Sequence, residues 1–237
     1  EGTLGIITAA RLRLLPLHSS RTTVLLGCDS TQEVVNVVQG IRQQFDSLDA
    51  AELFFIDGAN LVAEAFNVAI PFVAPVYLLL EFSADVDLAS DIESHLAQSN
   101  FAGLSAVAQD ELGRAKLWRL REEHTAAISM HGVPHKFDVT VAVSDLPKFI
   151  EKTRQGISET NADWTVFIFG HAADGNMHVN VLGPSATDEL VDEVVLQVVA
   201  EFKGSISAEH GIGSAKKKWL SLSRSHNEIA MMKVIKG

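Results

Sequence analysis

The 237-residue chain has a single cysteine, Cys28, set in an apolar run. One thiol excludes a disulfide framework, favours a reducing compartment and reads as a small buried hydrophobe. Positive charge is also short: 19 Lys and Arg against 30 Asp and Glu give a formal net charge of -11. A basic stripe is the usual footprint of nucleic-acid binding, so that class is set aside. An anionic substrate needs a local positive patch against this field. No apolar run reaches the roughly 18 residues of a membrane span, and no signal-peptide pattern is evident. A phosphate-cradling glycine loop leading into a helix is missing, so no independent nucleotide site is read. Glycine (16) and proline (6) are modest while 47% of residues are hydrophobic. That composition belongs to a globular chain, long enough for one large domain or two small ones.

Periodicity and punctuation give the elements. Residues 1–14 read as a strand or hairpin. Residues 22–28, 51–56, 76–82 and 104–108 read as strands, with helices after 31, at 59–67 and at 88–98. Ser30 with Glu33 makes a capping box for the first of these helices. Strand, helix, strand, strand, helix, strand is the ferredoxin-like pattern. One long helix is expected over 110–130. A strand over 134–143 places Lys136, Asp138 and Thr140 on one face. A helix over 145–156, strands at 164–169 and from 176, an amphipathic helix over 187–202 and a short strand at 205–208 follow. In a basic helix over 214–222, Lys216, Lys217 and Lys218 form a solvated face. A last helix covers 229–237. The expected fold class is α+β: a ferredoxin-like antiparallel sheet with helices packed on one side, enlarged by a second strand-helix half.

Two polar clusters break the apolar pattern. The first runs from Gly170 through His171, Asp174-Gly175, Asn176 and His178 to Asn180; the second is Glu209-His210-Gly211-Ile212-Gly213. Each follows a strand-like run. Asp174-Gly175 signals a turn, and the glycines at 211 and 213 allow a tight one. Alternation puts Asn176, His178 and Asn180 on one face of a strand. Two histidines and a carboxylate make a three-ligand set of the kind that catalytic zinc uses, so His171, His178 and Glu209 are the candidate metal ligands. His210 is left as an acid/base group. The plainer alternative, hydrogen-bonded loop polars, suits a lone histidine better than three with two acids. Arg121, on spacing alone, reads as a solvated helix residue paired with Glu122 or Glu123; Arg121 and Thr125 are four apart and share a helical face.

These paired motifs resemble the C-terminal domain of FAD-linked oxidases of the vanillyl-alcohol oxidase type, a family that includes D-lactate, glycolate and D-2-hydroxyglutarate dehydrogenases. The resemblance covers nearly the whole chain. One departure stands out: the family usually has Gly before the Asp, and here it is Ala173, whose methyl group restricts the loop. The resemblance implies that residues 1–20 close a preceding FAD-binding domain, with Gly2, Thr3, Gly5 and Ile6 near the flavin. Residues 21–237 would then form the cap or substrate domain, without the C-terminal tail that returns to the flavin domain. It implies substrate-carboxylate contacts from Arg121, Thr125 and Lys136, and a hydrogen bond from Asn180 to substrate or flavin.

The implied reaction is oxidation of a small anionic 2-hydroxy acid, of D-configuration, to the 2-oxo acid. FAD accepts hydride and a divalent metal, Zn or Mn, binds the substrate hydroxyl. The electron acceptor stays open among an electron-transfer flavoprotein, a quinone and a cytochrome, and a homodimer stays open as an assembly. Cytoplasmic location in a bacterium, or the mitochondrial matrix in a eukaryote, would suit such an enzyme. The piece in hand is expected to lack flavin and activity by itself. Two other readings compete: a metal-dependent hydrolase, and a non-catalytic interaction module using a large apolar face.

Overall fold

Two sequence runs, TTVLLGC and VYLLLEF, carry consecutive apolar residues with no polar alternation, which marks strands buried on both faces. In the computed structural model, which describes residues 3–15, 17–98, 101 and 103–237, these become β1 (Ser20–Cys28) and β3 (Val76–Ala84). Around them lie α1 (Thr31–Gln44), β2 (Leu48–Phe55), α2 (Ile56–Phe66), α3 (Ala89–Gln98) and β4 (Leu104–Ala108). The second half comprises α4 (Glu111–Glu122), α5 (His124–Ser129), β5 (His135–Thr140), α6 (Leu146–Thr160), β6 (Thr165–His171), β7 (Asn176–Leu182), α7 (Leu190–Glu201) and α8 (His226–Lys236).

The strands form one seven-stranded sheet in the order β4-β1-β3-β2-β6-β7-β5, with every neighbouring pair antiparallel. A bridge between Thr140 and Ser205 lies on the far side of β5. From either outer edge inward the order is therefore the same: fourth, first, third, second. The second half repeats the first, and the two meet along β2 and β6 through Glu52↔His171, Leu53↔Gly170 and Phe54↔Phe169.

Helices cover both faces of the sheet, not one as the sequence suggested. On one face α1, α3, α6 and α7 pack over Val24, Leu26, Leu53, Leu78, Val139, Met177 and Val179. On the other, α2, α4 and α5 pack over Leu25, Phe54, Tyr77, Leu79, Phe167 and Phe169. The reason lies in those unalternating runs. Leu25 and Leu79 have no exposed surface, and each such leucine contributes about 1.5–3 kcal/mol only if something covers it.

Two further expectations change. The helix over 110–130 breaks at Glu123, where ψ is 0°, so α4 and α5 are separate and the spacing rule does not carry from Arg121 to Thr125. Residues 3–15 form no strand among the described residues; Ile6 there is 92% exposed. The capping box on α1 is partial: Ser30 Oγ accepts from Glu33 N, but Glu33 Oε2 accepts from Asp29 N, one residue short of the reciprocal bond.

Candidate active site

His171 closes β6 opposite Glu52 on β2 and Asn176 on β7. One step along, His178 lies opposite Phe169 on β6 and Asp138 on β5. Another step brings Asn180 opposite Phe167 and Lys136. Opposed residues on antiparallel strands share a face, as do alternate residues along a strand. Glu52, His171, His178, Asp138, Asn180 and Lys136 therefore line one face, while Met177, Val179 and Val139 fill the core behind it. The turn between β6 and β7 holds because Gly175 sits at φ +79°, where a side chain would lie 1.9 Å from the Val141 carbonyl oxygen. Ala173 does not adopt a positive φ, so its methyl group fits the loop without backbone strain, and its carbonyl oxygen accepts a 2.7 Å hydrogen bond from Arg42.

The Glu209-His210 turn is brought over this face by Asp138. Oδ2 of Asp138 accepts the backbone N–H groups of Glu209 (2.7 Å) and His210 (2.9 Å). Lys216, expected on a solvated face, turns inward and donates to the carbonyls of Asp138 and Ile206. Burial alone would raise the Asp138 pKa; the His210 and Glu209 N–H bonds, together with the nearby His210 and His178 rings, outweigh it and hold the carboxyl below its ordinary range. Oδ1 of Asp138 and both amide atoms of Asn176 are buried with no hydrogen-bond partner among the described residues. Oδ1 of Asp138 does stand 3.6 Å from His178 Nδ1, at ion-pair distance, and buried polar atoms are as a rule hydrogen-bonded.

Glu52 is the residue that the sequence reading passed over. It is 5% exposed, and its two oxygens divide between two partners. Oε1 accepts from His171 Nδ1 at 2.5 Å, and Oε2 accepts from Arg121 Nε at 2.8 Å. Arg121 is buried, not solvated, and its guanidinium carbon stands 4.6 Å above the Phe169 ring. Burial lowers the pKa of Arg121, and Glu52 opposes that. The Glu52 hydrogen bond, against burial, raises that of His171. Burial and the nearby Arg121 charge lower that of His178.

The rings of His171 and His178 are 5.5 Å apart between centroids, and those of His178 and His210 are 6.3 Å apart. His171 Nε2 lies 3.8 Å from Glu209 Oε1. Among the described residues the trio whose ligand atoms all lie within 4.8 Å of one another is Asp138, Glu209 and His210; the expected set His171, His178 and Glu209 is not gathered that closely. Asp138 spends Oδ2 on two backbone donors and keeps Oδ1 free of hydrogen bonds among the described residues. A cavity of about 660 Å³ opens beside His171 and Glu209, lined also by Arg42, Asp46, Asp49 and Glu52. Its acids outnumber its one arginine.

Other predicted residues are not gathered here. Thr125 is exposed on α5, beyond the break at Glu123. Thr3 donates to Met232 Sδ, Gly5 has open space around it, and Gly2 lies outside the described residues.

A family model of the FAD linked oxidases' C-terminal domain matches residues 17–237. The chain is similar to the D-2-hydroxyglutarate dehydrogenase of Xanthomonas citri pv. viticola, 37% identical over 251 residues, covering 100% of this chain and 52% of that protein. It is similar to the protein of the same name in Stutzerimonas stutzeri, 33% identical over 251 residues, covering 100% and 54%. The chain thus spans about half the length of the curated relatives it matches. In fold it is like p-cresol methylhydroxylase with substrate bound, with a TM-score of 0.66, 9% identity, and coverage of 94% of this chain and 51% of that one.

Proposed function

Because the chain belongs to the family of FAD linked oxidase C-terminal domains, we propose that it is the substrate- and metal-binding part of a flavin-dependent dehydrogenase acting on D-2-hydroxyglutarate or a close 2-hydroxy acid. The observation that carries this is the His171–Glu52–Arg121 chain of contacts. It joins a histidine whose second nitrogen is turned towards Glu209 to a buried cation suited to a carboxylate. The relatives named above support the substrate class, and a substrate with two carboxylates matches two cations, Arg121 and Lys136, on one face of the sheet. Residues 21–237 are read as the cap domain. The strand order of its first four strands supports the ferredoxin-like description.

The donor set fits a divalent cation: two imidazoles and a carboxylate, beside buried polar atoms without partners. Flavin, when bound, supplies the hydride acceptor, and the cation supplies Lewis acidity towards the substrate hydroxyl. His210, exposed in its turn, takes the hydroxyl proton on a ring nitrogen. Arg121 Nε is committed to Glu52, so the guanidinium meets a carboxylate end-on through Nη1 and Nη2. Lys136 binds the same substrate, and Asn180 donates to it or to the flavin; Thr125, exposed on α5, is left out of this reading. The described residues offer no cradle for FAD; Thr3, Gly5 and Ile6 would meet it only alongside the rest of the flavin site.

The test is metal content by mass spectrometry on the purified chain beside a His171→Ala/His178→Ala variant. About one zinc or manganese per chain, lost in the variant, is expected. No metal in either after incubation with both ions would overturn the ligand set.

A further inference from the structure

One buried carboxylate faces two site groups and belongs to neither polar cluster. Glu52 comes from β2 in the first half of the chain. His171 ends β6 in the second half and lies directly across from it. Arg121 reaches the same carboxylate from α4. A neutral imidazole has one N–H and one lone pair, and the hydrogen bond at one nitrogen decides which is which. With a carboxylate at Nδ1, that nitrogen keeps the proton. Nε2 then offers its lone pair towards Glu209, 3.8 Å away. On the other side, an acceptor at Arg121 Nε fixes the rotation of the guanidinium plane over Phe169 and turns its end nitrogens away from Glu52.

We infer that Glu52 is a positioning residue that sets the His171 tautomer for metal binding and the Arg121 orientation for carboxylate binding, so that one side chain prepares both halves of the substrate's grip. The inference deepens the proposed function and rests on it for the metal. The tautomer, however, is a property of the empty chain. A simple ion pair burying Arg121 would need Oε2 alone; the Oε1 bond to His171 is what that plain role leaves unexplained.

The experiment uses Glu52→Gln, which keeps the shape but can accept at one oxygen only, and Glu52→Asp, which keeps the charge and withdraws it by one methylene. Nitrogen-15 NMR of the imidazoles in the metal-free chain, well above the imidazole titration range, reads the tautomer. Wild type should show His171 protonated at Nδ1, and Glu52→Gln a shift towards the Nε2–H form. Titration with zinc chloride should give roughly 10–100-fold weaker binding in Glu52→Gln, as for other lost partners of metal-bound histidines, with partial recovery in Glu52→Asp. A folded Glu52→Gln with an unchanged tautomer and unchanged zinc affinity overturns the inference. If neither variant folds, the wild-type spectrum still decides, since an Nε2–H tautomer there overturns it too. A wild-type chain with the Nδ1–H tautomer that binds no zinc removes the metal reading and leaves the positioning of His171 standing.

Discussion

His124 shows how one side chain can be sealed in beside a site without joining it. It is 1% exposed, with its ring 5.2 Å from Phe54 and 4.9 Å from Phe169 between centroids. Nδ1 bonds the Arg121 carbonyl at 3.1 Å, so the proton sits there. Nε2 is buried with no partner and faces Gly58, where a methyl group would lie 2.5 Å from it. Burial first, then the Arg121 charge, pushes the pKa down to about 3. An unfolded histidine titrates near about 6.5, so on acidification the unfolded state takes the proton first. Stability is fully present above about pH 6.5 and falls as pH drops towards about 3, by about 1.4 kcal/mol per pH unit for this group. Urea midpoints at pH 7 and pH 5 should therefore differ more in wild type than in His124→Gln, whose side chain does not titrate. Equal slopes in the two would show that His124 titrates normally.

At the scale of elements, the site depends on β5 holding a turn that has little regular structure of its own. The strand expected at 205–208 is reduced to one bridge at Ser205 and a hydrogen bond from Ala208 N to Asp138 O. Asp138 holds the rest through two bonds to Oδ2. Hydrogen bonds to a charged group are worth about 1.5–3 kcal/mol, so Asp138→Ala should cost roughly 3 kcal/mol and loosen 207–214. Faster proteolysis within those residues, alongside a lower urea midpoint, is the expected result; a lower midpoint with unchanged cleavage would place the loss elsewhere. Much of this was legible. The β6-turn-β7 unit follows from strict alternation and an Asp-Gly turn, and Asp138 shares the predicted face with Lys136 and Thr140. The break after α4 was not, because no proline or glycine stands at Glu123 to announce it. Nor was Glu52: its one sequence signal is a lone acid in the apolar run AELFF. Its partner His171 is 119 residues away, a pairing that only the meeting of β2 with β6 creates.

The molecule as a whole joins two topologically similar halves over a narrow strand contact, yet the larger core does not stop there. Val34, Leu53 and Leu78 from the first half share one cluster with Phe149, Val179 and Val195 from the second. A ligand held only by the second half should therefore stabilise both, since neither half can open without exposing the common core. Zinc on His171, His178 and Glu209 tests this directly. Binding to the folded state alone stabilises by about 2.7 kcal/mol at a ligand concentration of about 100 times Kd. For a chain of this size that is a rise of roughly 5–10 °C in Tm. A single thermal transition should move upward as a unit on adding zinc, return on chelation, and stay put in His171→Ala/His178→Ala. If the transition instead split, with one part insensitive to zinc, the halves would be melting separately. The contact from Glu52 to His171 would then be a junction between two units, not part of a continuous fold.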